Sequence, residues 1–504
     1  MSDRLAGKAS GTDIPPTVRA DDIAEWSDHV DVVVIGFGMA GGCAAVSAAA
    51  AGARVLVLER AAAAGGTSAL SGGQFYLGGG TAVQKATGHP DSPEEMYKYL
   101  VAVSPDPDHE KIEAYCYGSV EHFNWLEDLG FQFERSFYPE KAVIQPNTEG
   151  LMYTGNEEVW PFKDMAVPAP RGHKVPVPGD TGGASMVIDL LLKRADRLGV
   201  DIRYETGATG LVVDDAGAVV GAAWKHFGQH GVIRARAVII AAGGFVMNPD
   251  MVAAYTPKLA EKVRGRKRTR EPLLLGNPND DGLGIRLGVS AGGATRDMNH
   301  FFMTAPAYPP AILLTGIIVN KLGQRFVAED SYHSRTSSFV MDQPDSAAFL
   351  IVDEVHLERP KFPLVPLIDG WETVEEMEKV LAIPEGNLTA TLKRYNEHAA
   401  RGKDPDFHKQ PKFLAPQDKG PWGAFDLSLG KAMYAGFTMG GLTTSVDAQV
   451  LRADGTVVPG LYAAGACASN IALDGKNYAT GTQLGEGSFF GRRAGAHAAA
   501  AIRD

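Results

Sequence analysis

Cysteine is scarce in this chain: Cys43, Cys116 and Cys467 are the only three among 504 residues. That excludes a disulfide framework, which needs an even set, and a zinc site built on closely spaced pairs. Each is expected to be a small buried hydrophobe. Positive charge is also in deficit, with 48 Lys and Arg against 60 Asp and Glu and a formal net charge of −12. Apart from "RGRKRTR" at Arg264–Arg270, read as a solvated loop, the cations are scattered, so no nucleic acid partner is expected. Long apolar runs are missing too. The first thirty residues are polar, with "DIPPTVRADD" where a secretory signal would need an apolar core, and no later stretch reaches eighteen uninterrupted apolar residues. No transmembrane segment is expected, no metal site is assigned, and a reducing cytoplasm suits the composition.

What is present is ordinary globular material, 45% hydrophobic and 21% charged, long enough for two or three domains. "DVVVIGFGMAGGCAAVSAAAAGARVLVLER", from Asp31 to Arg60, reads as strand, tight turn, alanine-rich helix and second buried strand. Gly36, Gly38 and Gly41 stand at the spacing of a dinucleotide-binding turn, and Glu59 ends the second strand, where an acidic side chain can accept from ribose hydroxyls. Gly36 permits the sharp turn, Gly38 lets a pyrophosphate approach the backbone, and Gly41 lets helix pack on strand.

The next stretch, "AAAAGGTSALSGGQFYLGGG", indicates which dinucleotide. A nicotinamide-binding fold would proceed to another helix and strand; here a loop offers backbone N–H groups and the hydroxyls of Thr67, Ser68 and Ser71. Gly72 and Gly73 leave room for a flat ring, so FAD suits the loop better than NAD. Two further strands break into small residues, at "AAGG" from Ala241 and at "GLYAAGACAS" from Gly460, which builds the site from both ends of the chain. The expected division is a tail at 1–29, an FAD-binding domain formed by 30–305 and 437–504, and an inserted domain at 306–436.

Together with "GQRFVAED" at Gly323, "FTMGGL" at Phe437 and "YATGTQLGEGSFFGRRAG" at Tyr478, these pieces resemble the fumarate reductase/succinate dehydrogenase flavoprotein superfamily. "PAPRGH" at Pro168, "AEDSYHSR" at Ala328 and the C-terminal motif resemble its 3-ketosteroid Δ4-(5α)-dehydrogenase branch. The resemblance implies an α/β fold, with a Rossmann-like FAD-binding domain (GR2-type) and an inserted α+β capping domain. It places FAD contacts at Gly36, Gly38, Met39, Ala40 and Gly41 in the turn, at Glu59 and Arg60, and at Gly66, Thr67, Ser68, Ser71, Gly72 and Gly73 in the loop. Further contacts are implied at Ala208, Ala242, Gly243, Asp281 and Gly465, and at Gly481, Thr482 and Leu484 where the last helix begins. Noncovalent FAD is expected, because the loop lacks the histidine that carries covalent flavin in the succinate dehydrogenase branch.

Where fumarate reductases hold two carboxylates with cations, this chain has Tyr332 and His333 after Glu329, with Arg335 displaced, Phe437 before "TMGG", and Tyr478 before the C-terminal glycines. The resemblance therefore implies a hydrophobic, steroid-like ketone as substrate and an electron acceptor left unidentified. It gives Tyr478 as the base that takes a proton alpha to the ketone, Thr480 as hydrogen-bonding the phenol or relaying its proton, and Tyr332 as closing over the substrate from the insert. The relatives carry serine at the position of Thr480. "NHFFMTAPAYPPAILL" from Asn299 reads as an apolar wall, either core or substrate lining. His173, His300 and His333 are set aside as structural; Glu329 and Asp330 are expected to anchor the insert, and Glu486, Arg492 and Arg493 to pin the last helix. The alternatives are a flavin-dependent reductase of an activated alkene, a Δ1-dehydrogenase, and a flavin carrier without a substrate.

Overall fold

The computed structural model describes residues 12–142, 145, 147–260, 271–304, 310–360, 364–469, 471 and 474–502; the basic run at Arg264–Arg270 and part of the apolar wall lie outside them. The architecture is α/β. Its central sheet has six strands in the order Gln449–Leu451, Val457–Ala463, Ala237–Ile240, Val32–Ile35, Val55–Leu58 and Asp201–Arg203. The four inner strands run parallel and in step, Ile35 lying beside both Leu58 and Ile240, and Ile240 beside Ala463. Val32–Ile35, Val55–Leu58 and Ala237–Ile240 are near-continuous Val, Ile and Leu because both faces are covered.

The helix Met39–Ala50 covers one face together with the C-terminal helix Thr482–Ala501. These two helices touch backbone to backbone: a side chain at Gly491 would overlap Ala40, and one at Gly495 would overlap Ala44. The alanine run of the first helix and the glycines of the last therefore make one small-residue seam. Arg493 secures its far side by pairing with Asp447 at 2.6 Å.

A five-stranded sheet is formed by Thr206–Val213, Val219–His226 and Gln229–Arg234, with Val18–Arg19 and Asp28–His29 along its two edges. Residues 18–29, expected as tail, thus supply the outermost hydrogen-bonded strands of a sheet. Two-residue edge strands carry no periodicity for a sequence to display. Among the described residues no helix is long and apolar enough to cross a membrane.

Within 306–436 an antiparallel sheet, in the order Ile317–Asn320, Ala348–Asp353, Trp422–Asp426 and Leu367–Trp371, packs on the helices Val374–Leu381 and Asn387–Ala399 over its own core of Ile317, Val319, Met377 and Leu392. At its base Arg325 makes paired hydrogen bonds to Glu329 (2.9 and 2.8 Å) and to Asp404 (3.0 and 2.9 Å), and Lys409 lies 3.3 Å from Glu329. Burial works against the charge of Glu329, but Arg325 and Lys409 hold its carboxyl below the usual range. Glu329 also accepts the Ile318 N–H at 3.0 Å, and Asp330 accepts the Gln410 N–H at 2.9 Å, so both carboxylates anchor this unit. Arg325→Met strands two buried carboxylates and is expected to cost about 3–5 kcal/mol in urea unfolding. Arg325→Lys should recover little of that loss, because an ammonium cannot reproduce two paired contacts.

Candidate active site

The C-terminal ends of the parallel strands finish at one level, so the turns that follow them, at Gly36, Glu59, Ala241 and Ala464, open onto one cavity. Gly36 adopts φ +95, and a side chain there would come 2.6 Å from the carbonyl oxygen of Ala241. Gly41 packs against the Gly36 carbonyl and lies outside the lining. The buried Glu59 carboxylate accepts the N–H groups of Phe37 and Ala61, each at 2.8 Å, and faces the cavity with lone pairs to spare.

The cavity measures about 640 Å³ and runs from this turn to an aromatic end at Phe302, Phe437 and Tyr478. Along it stand Gly38, Met39, Ala40, Arg60, Gly66, Thr67, Ser68, Ser71 and Gly72. Ala208, Ala242, Gly243, Gly465, Thr480, Gly481 and Leu484 join them from distant parts of the chain. Not every expected hydroxyl is turned toward a ligand. Ser68 Oγ accepts the Met39 N–H (3.2 Å), Ser71 Oγ donates to the Ser68 carbonyl (2.8 Å), and the Thr67 hydroxyl donates to Asp280.

Several assignments change. Asp281 lies outside the lining: it pairs with Arg60 at 2.8 Å and accepts the Leu283 N–H at 3.0 Å. Its neighbour Asp280 faces the cavity instead, with burial pushing its carboxyl up to about 6 against the Thr67 hydrogen bond. Gly72 lines the cavity and Gly73 does not, and both are also packed, since side chains there would meet Asp180 and Val175. Gly73 and Thr482 lie outside the lining; Thr482 is buried and its hydroxyl donates to the Ala479 carbonyl at 2.8 Å.

The aromatic end holds the tyrosines. Tyr478 is buried between Phe302 and Phe437, with ring centroids at 4.8 and 5.6 Å. Its phenol oxygen accepts the Gln483 N–H at 3.2 Å, one of the orphan amides at the start of the last helix. Burial pushes this phenol above its ordinary value, with the Gln483 N–H acting in the opposite sense. Thr480 does not bond Tyr478; among the described residues its hydroxyl partner is the Tyr332 phenol. Tyr332 therefore sits behind Thr480, 3% exposed and outside the lining, rather than closing over a substrate.

Sequence reasoning set His333 aside, yet it lines the cavity. Its Nδ1 pairs with the Thr304 hydroxyl, and burial, followed by the charge of Lys141, lowers its pKa to about 3, so the imidazole is neutral at any working pH. The only available signal was its position directly after Tyr332. His173 lies outside the lining and pairs with Thr81 at 2.8 Å. Among the described residues no His, Cys, Asp or Glu cluster is arranged to hold a metal ion.

These residues fit the FAD that the resemblance implied. The helices starting at Met39 and Thr482 have glycine N-caps, Gly38 and Gly481, which bring no capping side chain of their own; Ser68 and Tyr478 each take one amide there, and both N-termini open on the same cavity. Helix N-termini are sites for pyrophosphate and for the electron-rich edge of a flavin.

The FAD binding domain family matches residues 31–484. A 3-ketosteroid Δ4-(5α)-dehydrogenase from Rhodococcus jostii RHA1, solved in complex with 4-androstene-3,17-dione, is 41% identical with a TM-score of 0.88, covering 96% of this chain and 100% of its own. A cytochrome-type fumarate reductase from Shewanella frigidimarina is 29% identical over 496 residues, 94% of this chain and 77% of the reductase. A 3-oxo-5-alpha-steroid 4-dehydrogenase from Comamonas testosteroni is 28% identical over 507 residues, 89% of this chain and 94% of the enzyme.

Gly36→Val puts a branched side chain against Ala241, in a backbone conformation that β-branched residues rarely adopt. The purified variant should carry less than about a tenth of the wild-type flavin absorbance per chain. Gly228→Ala, where an added Cβ meets nothing within 4 Å, should carry all of it.

Proposed function

This chain belongs to the FAD binding domain family and is an FAD-dependent oxidoreductase of CH–CH bonds, and from that premise we propose that it introduces the C4–C5 double bond of a saturated 3-ketosteroid. The observation that carries this reading is the character of the cavity's aromatic end. Phe302, Thr304, His333, Phe437, Thr438, Tyr478 and Thr480 form it, with no cation among them and the one imidazole held neutral. None of these side chains offers a dicarboxylate a counter-charge, whereas a fused-ring ketone would bury against Phe302 and Phe437, which stack at 4.8 Å. The steroid-dehydrogenase relatives support the same class of substrate.

Desaturation next to a ketone removes a proton alpha to the carbonyl and a hydride from the neighbouring carbon. Bound FAD supplies the hydride acceptor, and with no histidine in the loop at 66–74 to link to it, we take it as noncovalent. In this reading Glu59 receives a ribose, the N-terminus at Met39 a pyrophosphate, and the N-terminus at Gly481 the charge that a reduced ring gains.

Tyr478 takes the C4 proton on its phenol oxygen. The same Gln483 N–H that bonds the phenol stabilises the phenolate, and the helix dipole behind it adds to the effect. The Thr480 hydroxyl, on the cavity wall and backed by the Tyr332 phenol, relays a proton or holds the ketone oxygen in this reading. The Phe302–Phe437 wall excludes water from the reacting carbons.

Because only the phenolate accepts a proton and burial raises the phenol above its usual value, the active fraction grows with pH throughout the neutral range. The rate of flavin bleaching by a saturating 5α- or 5β-ketosteroid, followed anaerobically, should climb from pH 6 to 9 without a plateau. Tyr478→Phe should keep its flavin but bleach about 10²–10⁴-fold more slowly and lose the pH slope. No bleaching by either configuration, with reoxidation of the reduced enzyme by an enone, would make the protein a reductase instead.

A further inference from the structure

Tyr332 and Thr480 are 148 residues apart in the chain, and hydroxyl contact between them requires both backbones to be set in register. One segment touches both. The Thr154 carbonyl accepts the Thr480 N–H at 2.8 Å, and two residues on, Asn156 Oδ1 accepts the Tyr332 N–H at 2.9 Å. The segment is itself fixed: the Asn156 N–H donates to the Tyr99 phenol at 2.8 Å, and Gly155 lies so close to Tyr99 and Ala479 that a side chain there would collide with both. Asn156 is fully buried, and its Nδ2 has no partner among the described residues, so its carboxamide bonds the fold through Oδ1 alone.

We propose that residues 154–156 act as a splint that holds Tyr332 against Thr480, with Asn156 as a positioning residue for the proton step. Thr154 contributes a main-chain carbonyl that substitution leaves in place, so Asn156 is the member whose function a mutation removes. The inference rests on the reading that the Tyr332–Thr480 pair serves the substrate.

The test compares Asn156→Ala, which deletes the acceptor, with Asn156→Asp, which keeps it. Hydrogen exchange of the peptide spanning residues 330–335 reads the Tyr332 amide directly, and anaerobic flavin bleaching reads the reaction. Asn156→Ala should exchange the Tyr332 amide at least about tenfold faster and lower kcat about 10–100-fold, with KM within threefold and flavin content unchanged. Asn156→Asp should stay within about fivefold of wild type in both readouts, and Asn156→Ala should add little to the loss already present in Tyr332→Phe. Unchanged exchange in Asn156→Ala overturns the splint, as does faster exchange with kcat intact, or an equal loss in Asn156→Asp. A wild-type enzyme bleached by neither ketosteroid configuration overturns the proposed reaction instead, while the exchange measurement still decides whether the splint exists.

Discussion

The contact between the first helix and the last is the constraint on which the site depends. Ala40 meets Gly491 and Ala44 meets Gly495, so the two helices run in the same direction, and the last helix overshoots the first by about eight residues at its N-terminal end. At 1.5 Å per residue that offset is roughly 12 Å. Two positive helix ends therefore open on one cavity at a separation suited to the two ends of half a dinucleotide, a pyrophosphate and a ring. Any side chain larger than hydrogen at Gly491 or Gly495 would part the helices and break that spacing. The parallel sheet contributes the other coordinate, since its four inner strands end together and present their turns at the same depth.

The same overshoot determines the character of the chemical end. Because the last helix begins beyond the central sheet, its first turn meets other strands, Gln74–Tyr76 against Gly481 and the two that carry Phe302 and Phe437 against Tyr478. A phenol in such surroundings is a poor acid, which would disqualify it as a base but for the Gln483 amide aimed at its oxygen. Burial and the helix end thus oppose each other on one atom. The balance favours a neutral tyrosine at rest that can hold negative charge briefly during a reaction.

Much of the cofactor end was legible in the sequence because its signals are local. Strand, glycine turn, helix and terminal acid follow one another within thirty residues, and each is read from spacing alone. What escaped was decided by the path of the chain in space. Asp280 and Asp281 are neighbours in a turn, and nothing in "NDDGLG" says which of two adjacent carboxylates faces inward. Tyr478 lies three residues before the N-cap Gly481, whose φ of +99 turns the chain so that the phenol folds back over the helix start. Capping rules built on Ser, Thr, Asp and Asn do not anticipate this. Thr480 was paired with the wrong tyrosine for a similar reason: proximity along the chain favoured Tyr478, whereas the fold brings Tyr332 from 148 residues away.

That long-range pairing explains why an insert of this size contributes to the site. Its own core and its Arg325, Glu329, Asp404 and Lys409 network make it a stable unit, and the network ends at the turn that delivers Tyr332 and His333. The rigidity built at Arg325 is transmitted through four covalent links, Glu329 to His333, to the wall of the cavity. A cationic residue at position 437 would suit a carboxylate substrate on the same frame, and the phenylalanine present there suits an apolar one. Phe437 and His333 can therefore change on this fold without disturbing the seam that fixes the two helix ends, because they lie on the strand Ala435–Thr438 and the helix His333–Met341.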